Sequence, residues 1–342
     1  METDIIRRNP FLRDIIEDAT IVSEVTTNES EVQEDNNPHF IESNTFSVTM
    51  DELERHCIVP TFKDMQTTIS HQNFAAAVYA AARQAFPSEE FGDIEARASH
   101  QINGRTPDAL HLKSSELRED QKTKFYQRFA FCFEIKTIEE TIMGEPVSLT
   151  IGGVRSYQDT NLYTAKRPEK FTIFIGFRVR VCSNMMLTCD GLSKRIESMS
   201  EADIFSNSAR LFSGFNAGKT LESLRSLGDT RLSISQFCQF IGRCRLYLAL
   251  TPKMREELHL PSILLGDSNL NATTRELITN PNFGLKGEDD ISCWQLMQLL
   301  NESAKSSYID VWPERNQNAT DIAIGIQDAL LGINDRSSWF LN

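Results

Sequence analysis

The chain has no apolar run of the roughly 18 residues that a membrane-spanning helix needs, so no such helix is expected. Its opening stretch, METDIIRRNPFLRDIIEDAT, lacks the apolar core that follows the charged start of a secretory signal. The cytoplasm is therefore the expected compartment, with no membrane partner. No pair among the seven cysteines has Cys-x-x-Cys spacing, and most sit among apolar residues. In a reducing compartment such thiols stay reduced and buried, so neither a disulfide nor a metal framework is expected. The six histidines form no His-x-x-x-His or His-Glu-x-x-His pair, which argues against zinc. There is no Gly-x-Ser-x-Gly around which a hydrolytic triad could be built. SGFNAGKT, residues 213–220, approaches a phosphate-binding loop, but Ser213 stands where the first glycine is required and the preceding stretch reads as helix. A helix followed by a turn is expected there. No internal repeat is visible. These absences leave no nucleophile–base pair, metal or cofactor site to anchor a reaction. An enzyme would be revived only by a deep pocket with polar groups converging around His100, His111 or Asp310.

Charge is present but unevenly placed. Of a net −13, residues 1–54 contribute 14 acidic against 3 basic side chains, or −11, and residues 55–342 contribute 34 against 32, or −2. Residues 24–38, EVTTNESEVQEDNNP, hold too little apolar surface to offset the entropy of ordering them, which predicts an acidic, largely disordered leader over 1–45. Ile5, Ile6, Leu12, Ile15 and Ile16 fall near one face of a possible short helix over 4–18. Two readings of the leader stand: a solvated tail, or a docking peptide that masks a basic surface.

The body begins with a helix over 71–86, where Phe74, Val78, Ala81, Ala82 and Ala85 share a stripe and Pro87 ends it. Residues 98–111 read as the end of a strand and a loop. Three alternating stretches follow, at 125–136, 147–157 and 171–182. Phe125, Phe129, Phe131, Phe133 and Ile135 point one way in the first, as do Phe171, Ile173, Ile175, Phe177, Val179 and Val181 in the third. Gly152-Gly153 suggests a bulge or bend. Helical periodicity then takes over at 200–213, 234–250 and 291–301, with Thr320 as the cap of a helix over 321–331. The pattern predicts an α+β protein: an N-terminal helix, a largely antiparallel sheet within about 100–190, and a helical C-terminal part. The expected boundaries are 46–197 for the sheet domain and 198–342 for the helices packed on it.

The polar side of the strands carries the candidate site. Arg128, Arg155, Lys166, Arg167, Lys170, Arg178 and Arg180 lie within 53 residues. Alternation puts Arg128, Arg178 and Arg180 on the non-core side with Tyr126 and Phe174. Arginines interleaved with aromatics on an open sheet contact phosphates and stack bases. The same residues also fit a structural role: a cross-strand charge lattice with Glu134 and its neighbours, or burial under the C-terminal helices.

The segments ISHQNF, GRTPDALH, YQRFAFCFEI, LTIGGVRSY, EKFTIFIGF, VCSNMMLTCDG, KSSYIDVW and SWFLN resemble, in combination, a family of domain-of-unknown-function proteins carried on conjugative and other mobile elements of gut bacteria. The resemblance spans residues 40–342. The stretch ending in VCSN is also similar to a broader phage- and plasmid-borne domain of unknown function. Together they imply a mobile-element accessory protein and assign no catalytic residue. The leading expectation is a non-enzymatic protein that binds single-stranded nucleic acid through the 125–181 sheet face. The alternative is a protein-interaction or anti-defence module, bound to a host or element-encoded protein through the acidic leader and the C-terminal surface.

Overall fold

The computed structural model describes residues 38–57, 68–109, 111–157 and 168–342. The leader up to residue 37, with its expected helix over 4–18, lies outside these, as do Lys166 and Arg167.

A short strand, β1 (Phe46–Ser47), leads into α1 (Met50–His56) and α2 (His71–Ala85). Ser70 caps α2 by accepting from the Asn73 amide at 3.0 Å. Then come β2 (Glu95–Arg105), β3 (Lys122–Ile142), β4 (Glu145–Ser156), β5 (Glu169–Val179), β6 (Met185–Met186) and β7 (Leu192–Ser198). Met143 and Gly144, at φ 52° and 85°, close the β3–β4 hairpin in two residues, a conformation that favours glycine. The sheet runs β1-β2-β3-β4-β5-β6, with β7 also on β5, and every pairing is antiparallel. The fold class is the α+β arrangement that the alternation predicts.

The helical part comprises α3 (Glu201–Gly214), α4 (Ala217–Ser226), α5 (Ile234–Ala249), α6 (Pro252–Glu257), α7 (Asp267–Thr279), α8 (Cys293–Ala304) and α9 (Trp312–Leu330). A two-stranded ladder, β8 (Arg231–Ser233) with β9 (Asp290–Ser292), ties the starts of α5 and α8. At 213–220 the chain ends α3 and restarts as α4 behind the Asn216 cap, as expected of a failed phosphate loop. One helix start is corrected. Thr320 is not a cap: α9 begins at Trp312, with Pro313 in its first turn, and Thr320 is buried within the helix. Proline suits that first turn because its missing N–H has no partner there in any case.

Both faces of the sheet are covered. The first packs on α2 and, through one continuous apolar core, on the helical part; Phe131, Phe133, Ile173, Ile175 and Phe177 belong to it. The second carries a smaller core of Phe40, Ile41, Ala130, Cys132, Val154, Phe174, Met185, Leu187, Ile309 and Trp312. Residues 38–45, assigned to the leader by composition, are therefore part of the packed body. Phe40 meets Trp312 at 5.4 Å between ring centroids, and the Glu42 and Ser43 amides donate to the Lys305 carbonyl. The side chain of Asn316 takes the place of a further strand at the β6 edge. Its amide donates to the Met185 carbonyl at 2.8 Å and its oxygen accepts from the Leu187 amide at 3.1 Å.

Gly152-Gly153 makes no bulge, which corrects that expectation. Phe131 stays opposite Gly153 and Cys132 opposite Gly152, and the irregularity falls between Ile135 and Glu139. The glycines are there for close approach: a Cβ on Gly153 would lie 2.6 Å from the Phe74 ring and 3.1 Å from that of Phe131. Gly153→Ala is thus expected to lower stability in urea denaturation by about 1–3 kcal/mol, the cost of overpacking a dense core. Gly214→Ala, with open space around the added carbon, is expected to change it little.

Candidate functional site

The second sheet face is not the open basic surface that alternation suggested. Phe174 is wholly buried, 5.5 Å from the Trp312 ring. Tyr126 is buried too, with its hydroxyl donating to Glu52 at 3.0 Å and its ring against Phe46. Neither ring can stack a base, because α9 and residues 38–47 occupy the space. The arginines are tied to carboxylates. Arg178 reaches Glu95 at 2.8 Å and the Ser183 hydroxyl at 2.7 Å. Arg128 meets Asp310 at 3.0 Å and the His100 ring at 3.1 Å. Arg180 is exposed but paired with Glu134 at 3.6 Å and with Glu139. The charge lattice and the burial under C-terminal elements, the structural alternatives for this face, are both present. Lys170 is the exception: half-buried, and in no ion pair among the described residues.

Arg155 lies on the other face, buried, bound to the Glu169 carboxylate and the Ile69 carbonyl, with its guanidinium 4.1 Å from the centre of the Tyr157 ring. Glu169 also accepts from the Ile69 amide at 2.9 Å, so this pair anchors the approach to α2. Burial pushes the Glu169 carboxyl above its usual range, against the pull of Arg155. His71 stacks on Phe129 beside this pair and donates from Nε2 to the Tyr126 carbonyl at 2.8 Å. Burial, and then the Arg155 charge, lower its pKa to about 3, so the folded protein holds it neutral. The unfolded chain protonates this histidine below its ordinary value of about 6.5, while the folded chain does not until about 3. Stability should therefore fall as pH drops through that window, by up to about 1.4 kcal/mol per pH unit from this one group. His71→Phe keeps a ring there and removes the proton site. Its unfolding free energy should be flatter between pH 6 and 5 than that of the wild type, measured by urea denaturation at each pH.

A different part of the sheet is open. β4 ends opposite Arg128 and β1 pairs only with Arg97 and Ala98. Beyond those points β2 and β3 continue as a ribbon, residues 101–105 against 122–126, joined among the described residues only by a single parallel bridge from Cys57 to Lys124, and His100 through Asn103 are exposed. A cleft of about 720 Å³ lies on this ribbon. Among the described residues its lining includes His56, Arg105, Lys122 and Lys124, the amides Gln101 and Asn103, the hydroxyls of Ser114 and Thr123, and no carboxylate. The positions follow from local sequence. Register pairs Asn103 with Lys124 and Arg105 with Lys122, so these side chains sit side by side. Two of the cations are paired with acids that are not lining residues: Glu52 holds Lys124 at 2.7 Å and Glu119 holds Lys122 at 2.5 Å. Burial pulls the Lys124 pKa down, but its bonds to Glu52 and Tyr126 more than offset this, so the ammonium stays charged. The Glu52 carboxyl is held below its usual range, foremost by the same bond to Lys124.

The expected sheet face missed this cleft, although its signal is visible in HQINGR and KTK, where polar residues alternate on both strands of one hairpin. Of the residues that would mark an enzyme, His100 and Asp310 do meet, on Arg128. The hollow beside Asp310 is only about 10 Å³, however, and His111 lines neither it nor the cleft. Among the described residues no group of three or more His, Cys, Asp or Glu side chains is placed to hold a metal ion.

No helix among the described residues is long and apolar enough to cross a membrane. No curated protein and no solved structure matches the chain. One family profile does, over residues 15–341, described as "Domain of unknown function, B. Theta Gene description". With nearly its whole length matched, the chain belongs to that family, DUF3871.

Proposed function

We propose that this protein binds single-stranded nucleic acid, and that the strand lies in the ribbon cleft rather than on the body of the sheet. The observation that carries the reading is the composition of the lining: Arg105, Lys122, Lys124 and His56, with no carboxylate among the described residues that line it. On a body whose net charge beyond residue 54 is close to zero, such a local excess of cations attracts a polyanion. Gln101 and Asn103 between the cations offer both donors and acceptors to base edges. A cleft of about 720 Å³ has room for one or two nucleotides at a time. The role is one of binding, in the cytoplasm, as an accessory protein of a mobile element; the motif resemblance supports that setting.

The test is a fluorescence titration of a labelled oligothymidine across a salt series from about 50 to 200 mM, where phosphate contacts reveal themselves by a falling affinity. Lys122→Ala is expected to weaken binding and to reduce the log–log salt slope by about 1. Arg180→Ala, outside the cleft, is expected to leave both unchanged. Absence of salt-sensitive binding overturns the reading. A loss with Arg180→Ala and none with Lys122→Ala would return the site to the sheet.

A further inference from the structure

Tyr308 stands out among the aromatic side chains. It keeps 53% of its surface exposed, while its neighbours Ile309 and Trp312 are buried in the second core. Its backbone is held firmly, because its carbonyl accepts from the Val311 and Trp312 amides at the start of α9. The Arg128 guanidinium lies 5.1 Å from its ring centroid, and Arg128 is itself held by Asp310 and His100. The result is a flat, rigid, outward-facing ring with a cation on one side.

Two cations lie close by. Lys170 and Arg195 line the hollow that contains Asp310, together with the hydroxyl residues Ser156 and Thr172. Among the described residues neither cation makes an ion pair, in contrast to Arg128, Arg155, Arg178 and Arg180. Arg195 is placed there by an irregularity. The β5–β7 register jumps between Phe171 and Ile173, and Arg195 adopts the left-handed φ of 48°, a conformation uncommon outside glycine. An irregularity of this kind re-aims a side chain, and here it sets the exposed Arg195 at the edge of the hollow, its amide donating to the Thr172 hydroxyl at 3.3 Å.

We infer that Tyr308 is a stacking platform for an unpaired nucleobase, with Lys170 and Arg195 as the contacts for the adjoining phosphate. Unpaired cations beside a rigid aromatic face suit a nucleotide of a single strand, since a paired base offers its face to its own neighbours. The inference rests on the nucleic-acid reading and extends it. His100, on Arg128, directly precedes Gln101 of the cleft lining, so the platform and the cleft adjoin along β2.

The experiment compares an oligothymidine with an abasic oligonucleotide of equal length, which keeps the phosphates and lacks the bases. The full chain is used, with the melting temperature of each variant checked first. The wild type is expected to bind the oligothymidine at least about 5-fold tighter, the lower end of what one stacked base contributes. Tyr308→Ala should lower that preference markedly, to what base contacts in the cleft alone give, and leave abasic binding unchanged, and Tyr308→Phe should retain it. The double change Lys170→Ala with Arg195→Ala should weaken both ligands. Lys122→Ala should also weaken both while the preference survives. A wild-type chain with no preference, or a Tyr308→Ala chain that keeps it, overturns the platform and leaves the cleft standing. If neither ligand binds the wild-type chain, the cleft reading falls as well.

Discussion

A guanidinium enclosed by protein on both sides of a sheet must find partners there, a carboxylate foremost. Removing a charge from water costs several kcal/mol unless a partner and hydrogen bonds replace the lost solvation. Four arginines in this sheet are nearly inaccessible: Arg97, Arg128, Arg155 and Arg178. Arg128, Arg155 and Arg178 meet Asp310, Glu169 and Glu95 respectively, and Arg97 donates to the Thr45 and Ser47 hydroxyls and the Thr45 carbonyl. The matches reach across the fold. Arg178 joins β5 to β2, Arg155 joins β4 to the approach to α2, and Arg128 joins β3 to the segment before α9. The neutralised arginines let apolar cores form on both faces, and the two cores position every other element.

This requirement sorts the cations into two sets. Those on the layered part of the sheet hold the fold together and leave no field for a ligand. Those at its margins, where β4 and β1 stop short and where β7 departs from register, keep more of their charge available. Lys122, Lys124 and Arg105 line the ribbon cleft, and Lys170 and Arg195 line the hollow near Tyr308. A formal count over residues 55–342 conceals the difference, because it adds cations enclosed in the layers and cations at the margins alike. The functional question therefore turns on where the partner carboxylates are, and two of those, Glu52 and Glu119, hold the lysines without lining the cleft.

Much of the architecture was legible because periodicity is a local property. The α2 stripe, the alternation of β3 and β5 and the amphipathic α3, α5 and α8 each follow from side chains within one element meeting one apolar surface. The limits of that reasoning are also physical. A two-residue strand such as β1 or β6 has no period to detect. α6, short and largely polar, and α7, which opens without a side-chain cap bond, announced themselves weakly. Thr320 has the residue type of a cap, but Pro313 seven residues earlier was already a legal start, and only packing chose between them.

By itself the sequence determined that the chain would form an α+β body with an antiparallel sheet, that its excess acid would lie near the N-terminus, and that arginines would occupy the polar side of the strands. Alternation assigns a side chain to a face and says nothing about what covers that face. Tertiary structure alone decided that Phe40, Ile41, Ile309 and Trp312 would close over Phe174, because those residues are separated from it by more than a hundred positions in the chain. It alone decided which carboxylate each arginine would meet, since an ion pair depends on distance in space and not along the chain. The cleft owes its place to the same cause: it exists where two strands outrun their neighbours, and strand lengths relative to one another are set only when the sheet assembles.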